Sequence, residues 1–157
     1  MLDGREDMVG GEAVTGLAHM LGRANRRITD RLAEVVVEHG HTLEEWRVLV
    51  VLVDGLRRPM REVAEAAAMP GPTLTKIVDR MVATGLVDRH SDAGDRRRVL
   101  LSLTLRGRAL HVRLGRLMEA EGASIEEQVG PGEMVELARL LERLLARITL
   151  DGSTPSQ

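Results

Sequence analysis

From Glu12 to about His39, apolar residues recur at steps of three and four: Leu17, Met20 and Leu21, Ala24, Ile28, Leu32, Val35 and Val36. That period places them on one stripe of a single long helix, and Gly40 is well placed to end it. Thr42-Leu43-Glu44-Glu45 has the form of a capping box, with Thr42 at the N-cap and Glu45 three residues on. The helix it opens carries Trp46, Leu49, Val50 and Val53 to about Asp54. Arg57-Arg58-Pro59 reads as a turn. Met60 to about Ala67 reads as a short helix with Val63, Ala64 and Ala67 facing inward. Met69-Pro70-Gly71-Pro72 breaks the chain, and Pro72 suits the first turn of a new helix. That helix carries Leu74, Ile77, Val78 and Met81 to Thr84, and Gly85 closes it. A short helix, a turn and a longer helix in this order have helix-turn-helix spacing.

Two β-like runs follow, Leu86–His90 and Val99–Thr104, joined by Ser91–Arg98. The second alternates weakly, with Val99, Leu101 and Leu103 against Leu100, Ser102 and Thr104. Thr104 then caps a helix carrying Leu110, Leu114, Leu117, Met118 and Ile125 to about Gln128. Gly130-Pro131-Gly132 breaks it, and a last helix over about 132–149 carries Val135, Leu137, Leu140, Leu141, Leu144, Leu145 and Ile148. The pattern predicts a mostly α fold with a small two-stranded β wing. A winged helix-turn-helix over about 43–104 is flanked by N- and C-terminal dimerisation helices over about 12–39 and 105–149. These form one domain over 1–148, with a frayed start over 1–10 and a disordered tail over 150–157. The flanking helices are too apolar on one face to be satisfied alone, and a two-fold homodimer is the commonest way to cover such a face.

Composition narrows the chemistry. Of the 157 residues one is Trp and none is Phe or Tyr, so the core must be Leu, Val, Ile, Met and Ala. There is no Cys, which excludes disulfides, thiol redox sensing and thiolate metal sites. No basic start precedes a long apolar run, and no stretch approaches a membrane span. The expectation is a cytoplasmic protein with no membrane partner. The net charge of −2 conceals a split. Residues 57–116 hold 13 basic and 6 acidic side chains, and the flanks hold 9 and 18. Within the basic stretch, Arg96-Arg97-Arg98 sit together on the loop between the β-like runs. Three adjacent guanidinium groups on a turn repel one another and have no core to stabilise, so a polyanion is the natural partner.

These segments resemble the MarR family of bacterial winged helix-turn-helix regulators. The resemblance rests on Leu43-Glu44-Glu45-Trp46-Arg47-Val48-Leu49, on Leu74 to Val87, and on Asp92-Ala93-Gly94-Asp95-Arg96-Arg97-Arg98-Val99 with Leu103-Thr104-Leu105-Arg106-Gly107. In order and spacing it covers roughly residues 12–148. It implies an obligate homodimer whose recognition helices enter successive major grooves of a pseudo-palindromic operator in double-stranded DNA, with the wings in the flanking minor grooves. It also implies a sequence-specific repressor relieved by a small lipophilic or phenolic effector. Arg97 falls on the wing arginine that enters the minor groove, and Asp95 on the acid that orients it.

Residue chemistry agrees with that picture. Thr73, Thr75 and Lys76 lie in the first turns of the recognition helix, where hydroxyls and an ammonium suit phosphates and base edges. Arg80, a turn further on, suits the DNA backbone. Arg97 suits the negative potential of a narrow A·T minor groove, with Asp95 holding its fork, and Arg96 and Arg98 suit phosphates. Arg57, Arg58 and Arg61 are as well explained by solubility as by a phosphate clamp. Trp46 is expected to pack in the second helix. With His19 and His111 it also forms the set of candidate effector contacts. His39, His41 and His111 would make a three-His metal site only by folding together, and no metal or other cofactor is expected. No phosphate-cradling loop or nucleophile elbow points to an enzyme. The competing readings are a winged-helix module for protein contact, which would show a neutral wing, and a DNA-organising dimer without effector control.

Overall fold

The computed structural model describes residues 10–92, 94–95 and 98–151. The element order is α1 (Gly10–Val37), α2 (Leu43–Leu52), β1 (Arg58–Pro59), α3 (Met60–Ala66), α4 (Gly71–Ala83), β2 (Val87–Ser91), β3 (Val99–Leu103), α5 (Leu105–Val129) and α6 (Pro131–Asp151). The chain divides into two compact units, residues 1–118 and 119–157.

In the first unit the capping box forms as the spacing requires. Thr42 Oγ1 accepts from the Glu45 N–H at 3.2 Å, and the Glu45 carboxylate accepts from the Thr42 N–H at 3.0 Å. The core lies where α2, α3 and α4 meet the sheet. Val48, Leu49, Leu52, Val63, Leu74, Val78, Met81, Val87 and Leu101 are all buried there. α4 ends in a Schellman motif: Leu86 N–H reaches the Met81 carbonyl at 2.8 Å and Gly85 N–H reaches Val82 at 2.9 Å. The motif needs a left-handed residue, and Gly85 has φ +71. Thr104 then ties three elements together. Its Oγ1 donates to the Gly85 carbonyl at 2.7 Å and accepts from the Gly107 N–H at 2.9 Å, so it caps α5 while holding the end of α4 and the start of β2.

The wing departs from the expected two strands. The sheet has three, in the order β1-β3-β2, all antiparallel. Arg58 pairs with Leu101 and Pro59 with Leu100, where the sequence pattern predicts only a turn. Two residues show no alternation, and a proline signals a turn. At a sheet edge, though, proline is tolerated, because its missing N–H need not join the ladder.

In the second unit the end of α5 and α6 meet at Gly130, which has φ +106. Ile125 is buried, while Val135, Leu137, Leu140, Leu145 and Ile148 on α6 are exposed. α6 runs to Asp151, past the expected end near 149, so Leu150 and Asp151 belong to a helix rather than to the tail. Of the expected frayed start over 1–10, Gly10 instead opens α1; residues 1–9, like the rest of the tail at 152–157, lie outside the described residues. α1, in the first unit, also exposes Val14, Leu17, Met20 and Ile28. Among the described residues, no helix is long and apolar enough to cross a membrane.

Candidate nucleic-acid interface

α4 divides cleanly into two faces. Leu74, Ile77, Val78 and Met81 are buried, and Thr73, Thr75, Lys76, Asp79 and Arg80 are exposed. Its N-cap is Pro70, whose side chain cannot accept a hydrogen bond, so no side chain caps the first-turn amides. Uncapped amides and the positive end of the helix dipole together favour a phosphate. Thr75 Oγ1 donates to the Gly71 carbonyl at 3.0 Å, which commits its proton and leaves its lone pairs and methyl outward. Lys76 has no ion-pair partner among the described residues.

Arg80 is drawn elsewhere. Its Nε donates to Glu45 Oε1 at 2.9 Å, and its Nη2 lies 3.3 Å from Thr42 Oγ1. Glu45 is the one buried charged residue among those described, and an unpaired carboxylate there would be costly. The Arg80 guanidinium, the His41 ring at 3.2 Å and the Thr42 N–H at 3.0 Å satisfy it. The residue expected on the DNA backbone therefore also fastens the last turn of the recognition helix to the first turn of α2. Glu45 and Arg80 are 35 residues apart, so no local pattern announces the pair.

The β2–β3 loop is held by its own backbone. Asp92 N–H donates to the Arg98 carbonyl at 3.0 Å, and Arg98 N–H donates to the Asp95 carbonyl at 2.9 Å. Asp92 Oδ1 accepts from Gly94 N–H at 2.8 Å, an Asx turn. Arg98 reaches Glu62 on α3 at 3.5 Å and Asp92 at 3.9 Å, while half its side chain stays exposed. Arg96 and Arg97, and with them the expected pairing of Asp95 with Arg97, lie outside the described residues. Around the wing, carboxylates take up several other cations. Arg89 pairs with Asp79 at 2.6 Å, Arg61 with Glu65 at 2.9 Å, and Arg58 with Asp54. The Arg58 hydrogen bond, and then the Leu56 N–H, hold the Asp54 carboxyl below the usual carboxylate range. Lys76 on α4 is thus the cation left without a local carboxylate on the exposed face of that helix.

Of the candidate effector contacts, Trp46 and His111 come together. Their rings stack with centroids 5.1 Å apart and planes 9° from parallel. A Cβ on Gly115 would lie 3.6 Å from the Trp46 ring, so the indole lies along α5 over two successive turns. His19 is exposed on α1. Among the described residues, no group of three His, Asp or Glu side chains is placed to hold a metal ion.

The MarR family model matches residues 39–98, the stretch from the α1–α2 corner to the end of the wing loop. The homoprotocatechuate degradative operon repressor of Escherichia coli is 33% identical over 112 residues, which is 71% of this chain and 76% of the relative. The chain belongs to the MarR family. Its fold agrees with solved structures of MarR-family regulators. The transcriptional repressor CouR bound to a 23-mer DNA duplex is 26% identical with a TM-score of 0.77, over 86% of this chain and 96% of that one. NadR in complex with 4-hydroxyphenylacetate is 27% identical with a TM-score of 0.74, over 85% and 96%. Members of the family are transcriptional regulators, and this MarR protein is one of them.

Proposed function

We propose that this MarR protein is a homodimeric repressor that grips a pseudo-palindromic operator in double-stranded DNA and lets go when a small organic effector binds. The observation that carries the reading is the exposed run Thr73, Thr75 and Lys76 at an uncapped helix N-terminus, on a helix whose other face is buried in the winged core. Thr73, Thr75 and Lys76 read or clamp the major groove. Arg97, held by Asp95, enters the minor groove, while Arg96 and Arg98 neutralise phosphates. Arg80 reaches the backbone with whatever edge Glu45 leaves open. Exposed apolar residues on α1 and α6 supply the dimer contact.

The effector is a small phenolic or lipophilic compound, and aryl acids are the first class to try. The names of a relative and a neighbour, one on homoprotocatechuate and one on 4-hydroxyphenylacetate, support that choice. The Trp46–His111 stack is the natural surface for an aromatic ring, which would slide against the indole or displace the imidazole. The protein works in the cytoplasm and has no catalytic chemistry of its own. Fluorescence anisotropy of a labelled duplex from upstream of the gene, beside a scrambled duplex, tests the reading. Tight binding to the native duplex alone, reduced by an aryl acid, is the expected result. Equal and salt-sensitive binding to both duplexes would instead make the protein a DNA-organising dimer.

A further inference from the structure

Thr73, Lys76 and Arg80 follow one another at steps of three and four on the exposed face of α4, so Arg80 continues the stripe that carries the DNA reading. Its guanidinium is held at one edge. Nε donates to Glu45 Oε1 at 2.9 Å and Nη2 donates to Thr42 Oγ1 at 3.3 Å, so the side edge of the fork lies against the capping box of α2. A capping box needs one acceptor oxygen from its third residue, and glutamine serves there as well as glutamate. Glu45 uses Oε2 for that purpose. It accepts from the Thr42 N–H at 3.0 Å, and His41 Nδ1 donates to the same oxygen at 3.2 Å. Among the described residues, Oε1 serves Arg80 alone. The Glu45 side chain is 6% exposed and that of Arg80 is 52% exposed, so a fixed acceptor holds a reachable cation. Among the described residues Nη1 of Arg80 has no partner. Nη1 and the outer hydrogen of Nη2 make up the end edge of the fork, which can meet a phosphate with two parallel hydrogen bonds.

We infer that Glu45 and Thr42 are positioning residues for operator binding. The box that starts α2 also orients Arg80, 35 residues further along the chain, so that its end edge faces a DNA phosphate before the DNA arrives. A long side chain that is already ordered loses less freedom on binding. The phosphate leaves both bonds to the box in place, because it uses the other edge of the fork. The same bonds tie the last turn of the recognition helix to the first turn of α2, so a phosphate on Arg80 also fixes the register of that helix on the duplex. The inference rests on the operator-binding reading above and adds to it the residues that aim Arg80. It also carries a sign that charge alone does not. Glu45 is an anion, so by electrostatics alone its neutralisation strengthens binding to any duplex. By positioning, its neutralisation weakens binding to the matched operator.

The experiment is duplex anisotropy with the full chain, matched beside scrambled, for Glu45→Gln, Arg80→Gln and the double variant. A glutamine offers one acceptor oxygen in place of two, so it can keep the cap only by turning its NH₂ toward the Arg80 donor. Glu45→Gln should therefore lower affinity for the matched duplex by about tenfold, with no loss on the scrambled one. In the Arg80→Gln background the same change should have no further effect, since Glu45 acts through Arg80. The ¹H–¹⁵N resonance of Arg80 Nε should stand apart from those of free arginines in wild type and join them in Glu45→Gln. Thr42→Gly is the second variant. Glycine is a tolerated N-cap, so the helix start survives while the Nη2 acceptor is lost, and matched binding should again fall. Tighter binding of Glu45→Gln to both duplexes would overturn the proposal, because Glu45 would then act only as a repelling charge. A Glu45→Gln loss that persists in full without Arg80 would overturn it too, since the effect would then come from the fold of α2. Wild type that binds both duplexes equally would remove the operator reading and the inference with it. Wild type that discriminates, with Arg80→Gln unchanged, would leave the operator reading standing and remove the inference alone.

Discussion

At the residue scale, a cation's role is decided by which carboxylate, if any, reaches it first. Among the described residues Arg58, Arg61, Arg80 and Arg89 are all paired with carboxylates, whereas Lys76 is not. Lys76→Ala should therefore be felt directly by DNA. If the ammonium meets a phosphate, affinity falls about equally on matched and scrambled duplexes, and the log–log salt slope flattens by about 0.9. If it meets a guanine edge, the loss falls on the matched duplex, at about 1–3 kcal/mol. Arg97→Ala should weaken operator binding most when the flanking minor groove is A·T-rich. Unchanged affinity at moderate salt on such a duplex would remove Arg97 from the interface. Asp54 offers a test that needs no DNA. Its folded pKa is lowered, chiefly by the Arg58 hydrogen bond. The ionised form therefore stabilises the fold above the unfolded carboxylate pKa, and that contribution is lost as pH falls through the folded value. Urea midpoints of wild type and Asp54→Asn should differ at neutral pH, and the difference should shrink as pH falls below the ordinary carboxylate value of 3.8. A gap that persists at the lower pH would mean the Arg58 contact does not depend on charge.

At the element scale, local devices could be read from the chain and long-range ones could not. The Thr42–Glu45 box, the proline at the start of α4 and the glycine after it depend on residues within a few positions of one another, so their spacing declares them. Two-faced α4 was equally legible, because Leu74, Ile77, Val78 and Met81 carry a helical period. β1 was not, since two residues have no period, and neither was the bond from Arg80 to Glu45, which only the fold brings together. The stack of Trp46 on His111 joins two helices far apart in sequence, and so the residues were legible as candidates but their contact was not. Gly107 shows how tightly the wing is joined to α5. A Cβ there would lie 2.1 Å from the Leu86 carbonyl oxygen, and backbone cannot step aside as a side chain can. Gly107→Ala should cost about 1–3 kcal/mol by overpacking. Gly115→Ala, two turns further along α5, places its methyl at an ordinary 3.6 Å from Trp46 and should stabilise by about 0.5–1 kcal/mol. Urea denaturation of the pair measures both, and opposite signs are required. A neutral Gly107→Ala would show that α5 is free to shift away from the β2 start.

At the scale of the whole molecule, the charge split and the exposed apolar helices have one common explanation. The basic stretch over 57–116 coincides with the wing and recognition helix, while the acidic excess lies on the flanks that carry α1 and α6. Acidic flanks repel the phosphate backbone, which confines DNA to the winged part. Their apolar residues meanwhile need a cover that one chain does not supply. Leu140 on α6 is 50% exposed, so it contributes little to the packing of its own chain. Burying it against a second copy stabilises the dimer, and placing a guanidinium there would leave an unpaired charge in the contact. Leu140→Arg should therefore halve the mass seen by light scattering while helical content by circular dichroism is retained. Binding to a two-half-site operator should fall by about a hundredfold or more, because the second recognition helix is no longer held at high effective concentration. Binding to a single half-site should barely change. That contrast separates loss of the dimer from damage to the winged domain, since damage would weaken both duplexes alike. A dimer that persists after Leu140→Arg would place the contact elsewhere on the chain, and α1, with Leu17, Met20 and Ile28 exposed, would be the next helix to change.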